Sequence, residues 1–314
     1  MENPLTKFVP QLFGEYPKPF LKLINNISFS PDQDSQEVTK ALWKAYEFGL
    51  RHHDGQKRLS GKPYFSHCIA VASTLASWKM DTTTIIAGLL HDTVEDTEAT
   101  LDDIVKNFGH DLGNLVDGLT KISEISYSSR KEKQVGNFMK MLLSVAQDMR
   151  VIIIKFADRL HNMETIKHMP HIKRHRIAVE TRDIYVPLAH RLGMSTVKSQ
   201  LEDLVLSVLN PSGFKEVESK VKSSERQREK FIKKVIKPVN EELKRYDITP
   251  LIYGRAKSYA SIYGKMINRN KSFKEIYDLY AIRIIVEKIE NCYLALGIVH
   301  NVVGSIKIGC WYCS

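Results

Sequence analysis

The sequence predicts a mainly α fold, in which an irregular lead-in over 1–30 precedes an all-α domain over 31–210 and a smaller α+β domain over 211–314. Three observations predict it. Segment after segment before residue 250 repeats apolar residues at spacings of three and four, the period of a helix face, and no strand-rich run interrupts them. At Asn210-Pro211-Ser212-Gly213 the composition changes, and beyond it strand-like and helix-like segments alternate. With 314 residues of which 43% are hydrophobic, the chain can bury a core in each of two domains.

Taken in order, residues 1–30 carry Pro10, Pro17 and Pro19, and Ser30-Pro31 then offers an N-cap followed by a proline suited to a first helical position. Val38, Leu42, Ala45, Tyr46 and Phe48 share one helix face, and Gly55 can end that element. The segment Pro63–Trp78 repeats Ile69, Ala72, Leu75 and Ala76 and predicts a second helix. A third starts after Asp81 and runs through Ile85, Ile86, Leu89 and Leu90 into His91-Asp92-Thr93-Val94-Glu95-Asp96. A fourth spans Leu101–Phe108 and stops at Gly109. Val151–Ala157 is β-branched enough for a strand, but it passes without a break into Asp158-Arg159-Leu160-His161-Asn162-Met163, so helix is the prediction. Beyond the boundary, Leu251–Arg255 and Tyr280–Val286 read as strands, with helices over Tyr259–Asn268 and Asn291–Val302.

Composition excludes several classes. Charged residues at 26% and aromatics at 9% are those of a globular protein, not of a fibrous or low-complexity one. Four scattered cysteines suit a reducing compartment better than a disulfide framework, no apolar run reaches a membrane span, and no signal-peptide pattern is present, so a cytoplasmic protein is expected. The net charge of +10 is concentrated: residues 211–275 hold 17 Lys and Arg against 8 Asp and Glu. Such a patch favours a polyanion, whether nucleic acid or a nucleotide with several phosphates, although Glu216–Lys237 mixes both signs as a solvated helix would. No helix-turn-helix, RNP or zinc motif accompanies the charge, so no direct nucleic-acid partner is expected.

On a continuous helix, His91 and Glu95 would lie four apart, and Asp92 three from Glu95 and four from Asp96, a stripe of one imidazole and three carboxylates. Beside the apolar Leu89-Leu90 that stripe needs positive charge, which Mn²⁺, Zn²⁺ or Fe²⁺ would supply. A His-Asp pair alone is more often a surface pair at a helix end, but Glu95-Asp96, the polar Asp158 and Asn162 in an apolar run, and His67 strengthen the metal reading. His67 and Asp158 are the candidates for the remaining ligands. His52, His53 and His110 read as solvated imidazoles at helix ends.

Three stretches now carry a resemblance: Arg58-Leu59-Ser60-Gly61-Lys62-Pro63-Tyr64 with His67, Gly88-Leu89-Leu90-His91-Asp92-Thr93-Val94-Glu95-Asp96-Thr97, and Lys155-Phe156-Ala157-Asp158-Arg159-Leu160-His161-Asn162-Met163. They resemble the RelA/SpoT (Rel) family of (p)ppGpp synthetase/hydrolases, and the likeness covers roughly 30–300, including Pro187-Leu188-Ala189-His190-Arg191-Leu192-Gly193 and Gly254-Arg255-Ala256-Lys257-Ser258. The resemblance implies an HD-type metal-dependent phosphohydrolase domain followed by a nucleotidyltransferase-like synthetase domain. It implies that His67, His91, Asp92 and Asp158 hold Mn²⁺, that Glu95 and Asp96 position or deprotonate the attacking water, and that Arg58, Ser60, Tyr64, Asn162 and Thr165 line the guanine nucleotide pocket. Leu59 stands where family members often carry Lys.

In the second domain the resemblance assigns Arg255, Lys257, Ser261 and Lys265 to a basic ATP cluster and Asp278 to a Mg²⁺-binding carboxylate. The family's Arg-Phe-Lys-Asp segment, its stacking Tyr and its second acidic residue have no counterpart before Ser314, so an incomplete synthetase domain without useful synthetase activity is expected. Cys310-Trp311-Tyr312-Cys313 has Cys-x-x-Cys spacing but no following helix to lower a thiol pKa. The resulting expectation is a Mn²⁺-dependent (p)ppGpp 3′-pyrophosphohydrolase of the stringent response, acting on ppGpp or pppGpp without ribosome-linked control. The alternatives are a GTP pyrophosphokinase, which would use Mg²⁺, and a catalytically silent guanine-nucleotide-binding regulator.

Overall fold

The computed structural model describes residues 16–27, 34–123, 148–276 and 279–303. The chain divides into two compact units, Met1–Leu201 and Glu202–Ser314. Among the described residues, no helix is long and apolar enough to cross a membrane.

The first unit is all helical. Helix α1 (Lys18–Asn25) falls inside the expected irregular lead-in. Its prolines misled because Pro17 and Pro19 occupy the cap and first turn, where a backbone N–H has no intrahelical partner to lose. The helix is held by aromatic packing: Phe20 is fully buried and meets Trp43 edge-on at 4.9 Å and Tyr46 at 5.2 Å. Helix α2 (Ser35–His52) starts at Asp34, whose side chain accepts from Gln36 N–H at 2.8 Å; the predicted cap at Ser30-Pro31 lies outside the described residues. Helix α3 (Phe65–Ser77) and helix α4 (Thr82–Leu90), capped by Asp81, pack against each other with almost every apolar side chain buried. Gly88 makes that approach possible, since a Cβ there would sit 2.5 Å from Leu75 Cδ1.

After α4 come a one-turn helix α5 (Thr93–Asp96), α6 (Leu101–Phe108) with a Thr100/Asp103 capping box, and α7 (His110–Ser123). Helix α8 (Met149–Glu164) spans the β-branched run as predicted and packs against α3, α4 and α7. Its propensity for strand is overridden because Val151, Ile152, Ile154 and Phe156 are all buried, at positions only a helix packed on several sides can supply. Helix α9 (His171–Glu180) leads into a π turn (Thr181–Tyr185) and α10 (Val186–Arg191). Arg159 of α8 is clamped to this turn, donating to Glu180 and the Tyr185 hydroxyl at 2.9 Å each, with its guanidinium 4.1 Å from the Tyr185 ring. That clamp holds the rotation of α8, and with it the direction of the neighbouring Asp158. Helix α11 (Ser195–Leu209) begins in this unit and continues past its boundary at Leu201.

The second unit holds α12 (Pro211–Arg245), capped by the Asn210 side chain, and an antiparallel pair of strands, β1 (Leu251–Ala256) and β2 (Tyr280–Ile285), in the register Tyr253↔Arg283. Between the strands lies α13 (Tyr259–Asn268), and after them α14 (Ile289–Val303). Two small apolar clusters hold these elements to α12: Val239, Leu243, Ile248, Ala295 and Ile298, and Val217, Val221, Ile262 and Ile276. The mixed-sign surface of α12 is a solvated one where described, with Lys220–Glu216 and Lys222–Glu218 pairs one turn apart.

Candidate active site

Three elements of the first unit send polar side chains to one point. The segment before α3 forms a tight turn in which Gly61 N–H reaches Arg58 C=O at 2.8 Å and Arg58 N–H reaches Lys62 C=O at 2.9 Å. Gly61 sits at φ +81°, a conformation that a side chain disfavours. Arg58, Ser60 and Tyr64 are presented by this turn, and His67 follows in the first part of α3.

The expected stripe on one continuous helix is not what forms. Helix α4 ends at Leu90, Asp92 adopts φ −99°, ψ −3°, and the chain restarts as α5. On a helix the side chains of adjacent residues diverge. The break lets His91 and Asp92 converge instead, with His91 Nε2 3.1 Å from Asp92 Oδ1. The Asp92 carboxylate serves this cluster and makes no cap bond to α5.

Asp158 arrives from α8, its Oδ1 3.1 Å from His67 Nε2 and 3.9 Å from His91 Nε2, while Asp92 Oδ2 is 3.6 Å from His67 Nε2. The proton positions follow from the partners. His91 Nδ1 lies 2.9 Å from Gly88 C=O and must donate to it, which turns the buried Nε2 toward the carboxylates. His161 Nδ1 receives Arg58 Nη1–H at 3.3 Å, so it accepts, and the 2.6 Å contact between His67 Nδ1 and His161 Nδ1 then places the proton on His67. Both Nε2 atoms therefore point at carboxylate oxygens.

Two carboxylates gathered this closely call for positive charge among the four groups. Burial lowers the pKa of His67, and burial together with the neighbouring His67 and Arg58 takes His161 down to about 4. For His91 burial opposes protonation, but Asp92 and Asp158 outweigh it and raise the ring to about 9. Burial likewise opposes ionisation of Asp158, yet the close approach of His67 and the His91 charge hold it at about 2. Asp92 is held below the usual carboxylate range by His91, against the effect of its burial. The carboxylates thus draw positive charge to the cluster, as a proton on His91 or as a bound cation, and two imidazole nitrogens with two carboxylates suit a divalent transition metal.

Around this centre the Tyr64 hydroxyl lies 2.9 Å from Asp92 Oδ2 and 2.7 Å from Asp96 Oδ2, bridging the two carboxylates. Gln56 holds the Asp96 carbonyl at 2.7 Å. Glu95 pairs with the buried Lys155 at 3.8 Å. Arg58 Nη2 donates to Asn162 Oδ1 at 2.7 Å, Asn162 Nδ2 donates to Asp158 Oδ1 at 2.5 Å, and the Thr165 hydroxyl bonds to His161 C=O at 2.8 Å. Ser60 is half-buried within the turn. His53 does not match the solvated reading, because it is 3% exposed and stacks on Tyr64 at 5.1 Å.

Two residues of this neighbourhood escape a reading by motif alone, His161 and Lys155. Each lies three residues from Asp158, on the same face of α8, and that spacing is the signal that could have found them.

In the second unit, Arg255 lies on β1 opposite Ala281, and Ser258 caps α13 by accepting from Ser261 N–H at 3.3 Å while donating its own hydroxyl proton to Ser261 Oγ at 2.7 Å. Lys257 follows β1, and Lys265 lies on α13 one turn beyond Ser261. Asp278, Cys310 and Cys313 lie outside the described residues.

A helical unit that converges paired histidines and aspartates in this way is of the HD type, and residues 45–195 match the family described as HD domain. Residues 254–308 match the region found in RelA / SpoT proteins. The chain belongs to the RelA/SpoT family. It is 41% identical over 266 residues to the bifunctional (p)ppGpp synthase/hydrolase SpoT of Escherichia coli, covering 85% of this chain and 38% of that one. It is 44% identical over 261 residues to a GTP pyrophosphokinase of Streptomyces coelicolor, covering 83% of this chain and 31% of that one. To a guanosine-3′,5′-bis(diphosphate) 3′-pyrophosphohydrolase of Spiroplasma citri it is 42% identical over 271 residues, covering 85% and 36%. The chain thus spans about a third of the length of the curated relatives it matches.

Proposed function

We propose that the first unit is a divalent-metal-dependent 3′-pyrophosphohydrolase acting in the cytoplasm on guanosine 3′,5′-bis(diphosphate), with GDP and pyrophosphate as products. The observation that carries the reading is the cluster of His67, His91, Asp92 and Asp158, with two imidazole Nε2 atoms aimed at two carboxylates. These four would hold Mn²⁺, which when bound lowers the pKa of its water and neutralises phosphate oxygens. Names of relatives support the substrate class.

The chain's own residues then divide the work. Asp96, tethered through Tyr64 to Asp92, and Glu95, paired with Lys155, are the carboxylates available to take a proton from water attacking the 3′-diphosphate. Arg58 and Asn162, bonded to each other, with Tyr64, Ser60 and Thr165, form the wall against which the guanosine would be oriented. Purified full-length chain is expected to release pyrophosphate from ppGpp with Mn²⁺, and to lose that activity on chelation or in Asp92→Ala and His91→Ala. Release persisting in both variants would sink the metal assignment. Metal-independent ppGpp binding without turnover would instead make this a guanine-nucleotide-binding regulator.

The match over 254–308 and the name of the Streptomyces relative carry a second reading, a Mg²⁺-dependent GTP pyrophosphokinase using Arg255, Lys257, Ser261 and Lys265, with Asp278 as a metal ligand. Formation of pppGpp from ATP and GTP by this chain would establish it. Hydrolysis without such synthesis would assign the chemistry to the first unit alone.

A further inference from the structure

Asp96 stands at the last position of α5, a helix of one turn, and is exposed. A single turn is too short to hold its own shape, so the direction of this carboxylate is set by what grips it. Two grips exist. The Gln56 side chain donates to the Asp96 carbonyl at 2.7 Å, and the Tyr64 hydroxyl lies 2.7 Å from Asp96 Oδ2. Both lead to His53, which is 3% exposed at the end of α2. Its Nδ1 lies 2.8 Å from Gln56 Oε1, and its ring stacks on Tyr64 at 5.1 Å with the planes 15° apart. The Gln56 carbonyl also accepts Tyr64 N–H at 2.9 Å, which joins the two grips through the backbone. The polarity of this chain is fixed. A carbonyl only accepts, so Gln56 turns its amide nitrogen to Asp96 and its oxygen to His53, and His53 Nδ1 must carry the proton that this oxygen receives. His53 Nε2 is buried with no hydrogen-bond partner among the described residues, so no second bond competes for the orientation of the ring.

We propose that His53 and Gln56 are positioning residues that hold Asp96 in place as the base, through a one-way chain of two hydrogen bonds and the stack on Tyr64. The role rests on the hydrolase reading and names what orients its proton acceptor. Neither residue is among the metal ligands, and both act through Asp96. A carboxylate shifted by about an ångström from the water it must deprotonate loses rate rather than substrate affinity, so these residues bear on kcat and not on KM.

The test measures pyrophosphate release from ppGpp with Mn²⁺ by the full chain and three variants. Gln56→Leu removes both bonds, Gln56→Glu keeps the size but offers the Asp96 carbonyl no donor, and His53→Phe keeps a ring on Tyr64 without the Nδ1 proton. Each is expected to lower kcat about three- to tenfold and to leave KM within about twofold. In an Asp96→Ala background Gln56→Leu is expected to cost nothing further, because a residue that acts through Asp96 then has nothing to position. An unchanged kcat in all three variants, a loss carried by KM, or the same loss with and without Asp96 overturns the proposal. Nitrogen NMR of the parent, with diamagnetic Mg²⁺ in place of Mn²⁺, decides without any substitution at His53 and without substrate. A proton on His53 Nδ1 is expected, and a ring protonated at Nε2 alone overturns the chain. A parent that releases no pyrophosphate would sink the hydrolase reading and this role with it, whereas an active parent with any of the contrary results sinks this role alone.

Discussion

Changing Tyr64 to Phe removes one oxygen from the link between a metal-cluster carboxylate and a candidate base. The hydroxyl lies 2.9 Å from Asp92 Oδ2 and 2.7 Å from Asp96 Oδ2, but it has one proton and donates to one of them at a time. Burial, then the charge of Asp92 and the bond to Asp96, push its pKa well above the ordinary tyrosine value, so it remains a donor throughout any usable assay range. The loss is one charge-assisted hydrogen bond, about 1.5–3 kcal/mol. If that bond positions the base in the transition state, kcat falls by a factor of about 10 to 150, at about 1.4 kcal/mol per tenfold. The ring remains, and with it the stack on His53 at 5.1 Å and the Arg58 contact at 5.5 Å, so KM and the thermal midpoint are expected to move little. Pyrophosphate release at saturating ppGpp and Mn²⁺, with a parallel melting curve, measures both. A Tyr64→Phe enzyme with kcat within about twofold of the parent would refute the argument that this hydroxyl aligns the carboxylates.

Other perturbations follow from neighbouring contacts. Because His161 accepts the proton of His67 Nδ1 and so turns the other nitrogen of His67 inward, His161→Leu is expected to weaken Mn²⁺ binding by about 10–100-fold, and His161→Asn, which keeps an acceptor near that place, by less; equal Mn²⁺ affinity by electron spin resonance in both would refute it. Leu59 is 68% exposed beside Arg58, so Leu59→Lys is expected to lower KM for ppGpp, more so at low salt, without altering the fold; a KM that does not change with salt would count against a phosphate-facing turn. Asp148 caps α8 at Arg150 N–H and pairs with the Arg150 guanidinium at 2.7 Å, bonds that hold its carboxyl below the usual range against the opposing effect of burial. Since the folded value is the lower one, the stabilisation is present above about pH 4 and fades as pH falls through the folded value. Asp148→Ala is expected to cost about 1 kcal/mol in denaturant unfolding at neutral pH and to flatten that acid limb; an unchanged midpoint and limb would refute it.

Much of the first unit is legible from spacing alone, because a helix buried on one face writes its period into the sequence. The boundaries of α3, α6 and α13 and the start of α4 are nearly those read from apolar repeats and caps, and Asp81, Gly109 and Ser258 terminate elements by local chemistry that needs no tertiary partner. The motifs around His67, His91 and Asp158 name the residues of the candidate site for the same reason: a residue type at a short spacing is a local property. What local rules could not supply is the outcome of competition with packing. The prolines of α1 argue for a loop, and only the burial of Phe20 against Trp43 and Tyr46 makes the helix favourable. The break at Asp92 likewise goes against the helical stripe that spacing implies. It is the tertiary approach of α3 and α8 that gathers His67 and Asp158 around that break and makes the convergent cluster, because three chain segments distant in sequence must bring four side chains to the same few ångströms. Proton placement on His67, the pairing of Lys155 with Glu95 and the grip of Gln56 on the Asp96 carbonyl belong to that assembly. Each depends on a distance between segments, which the order of residues along the chain does not contain.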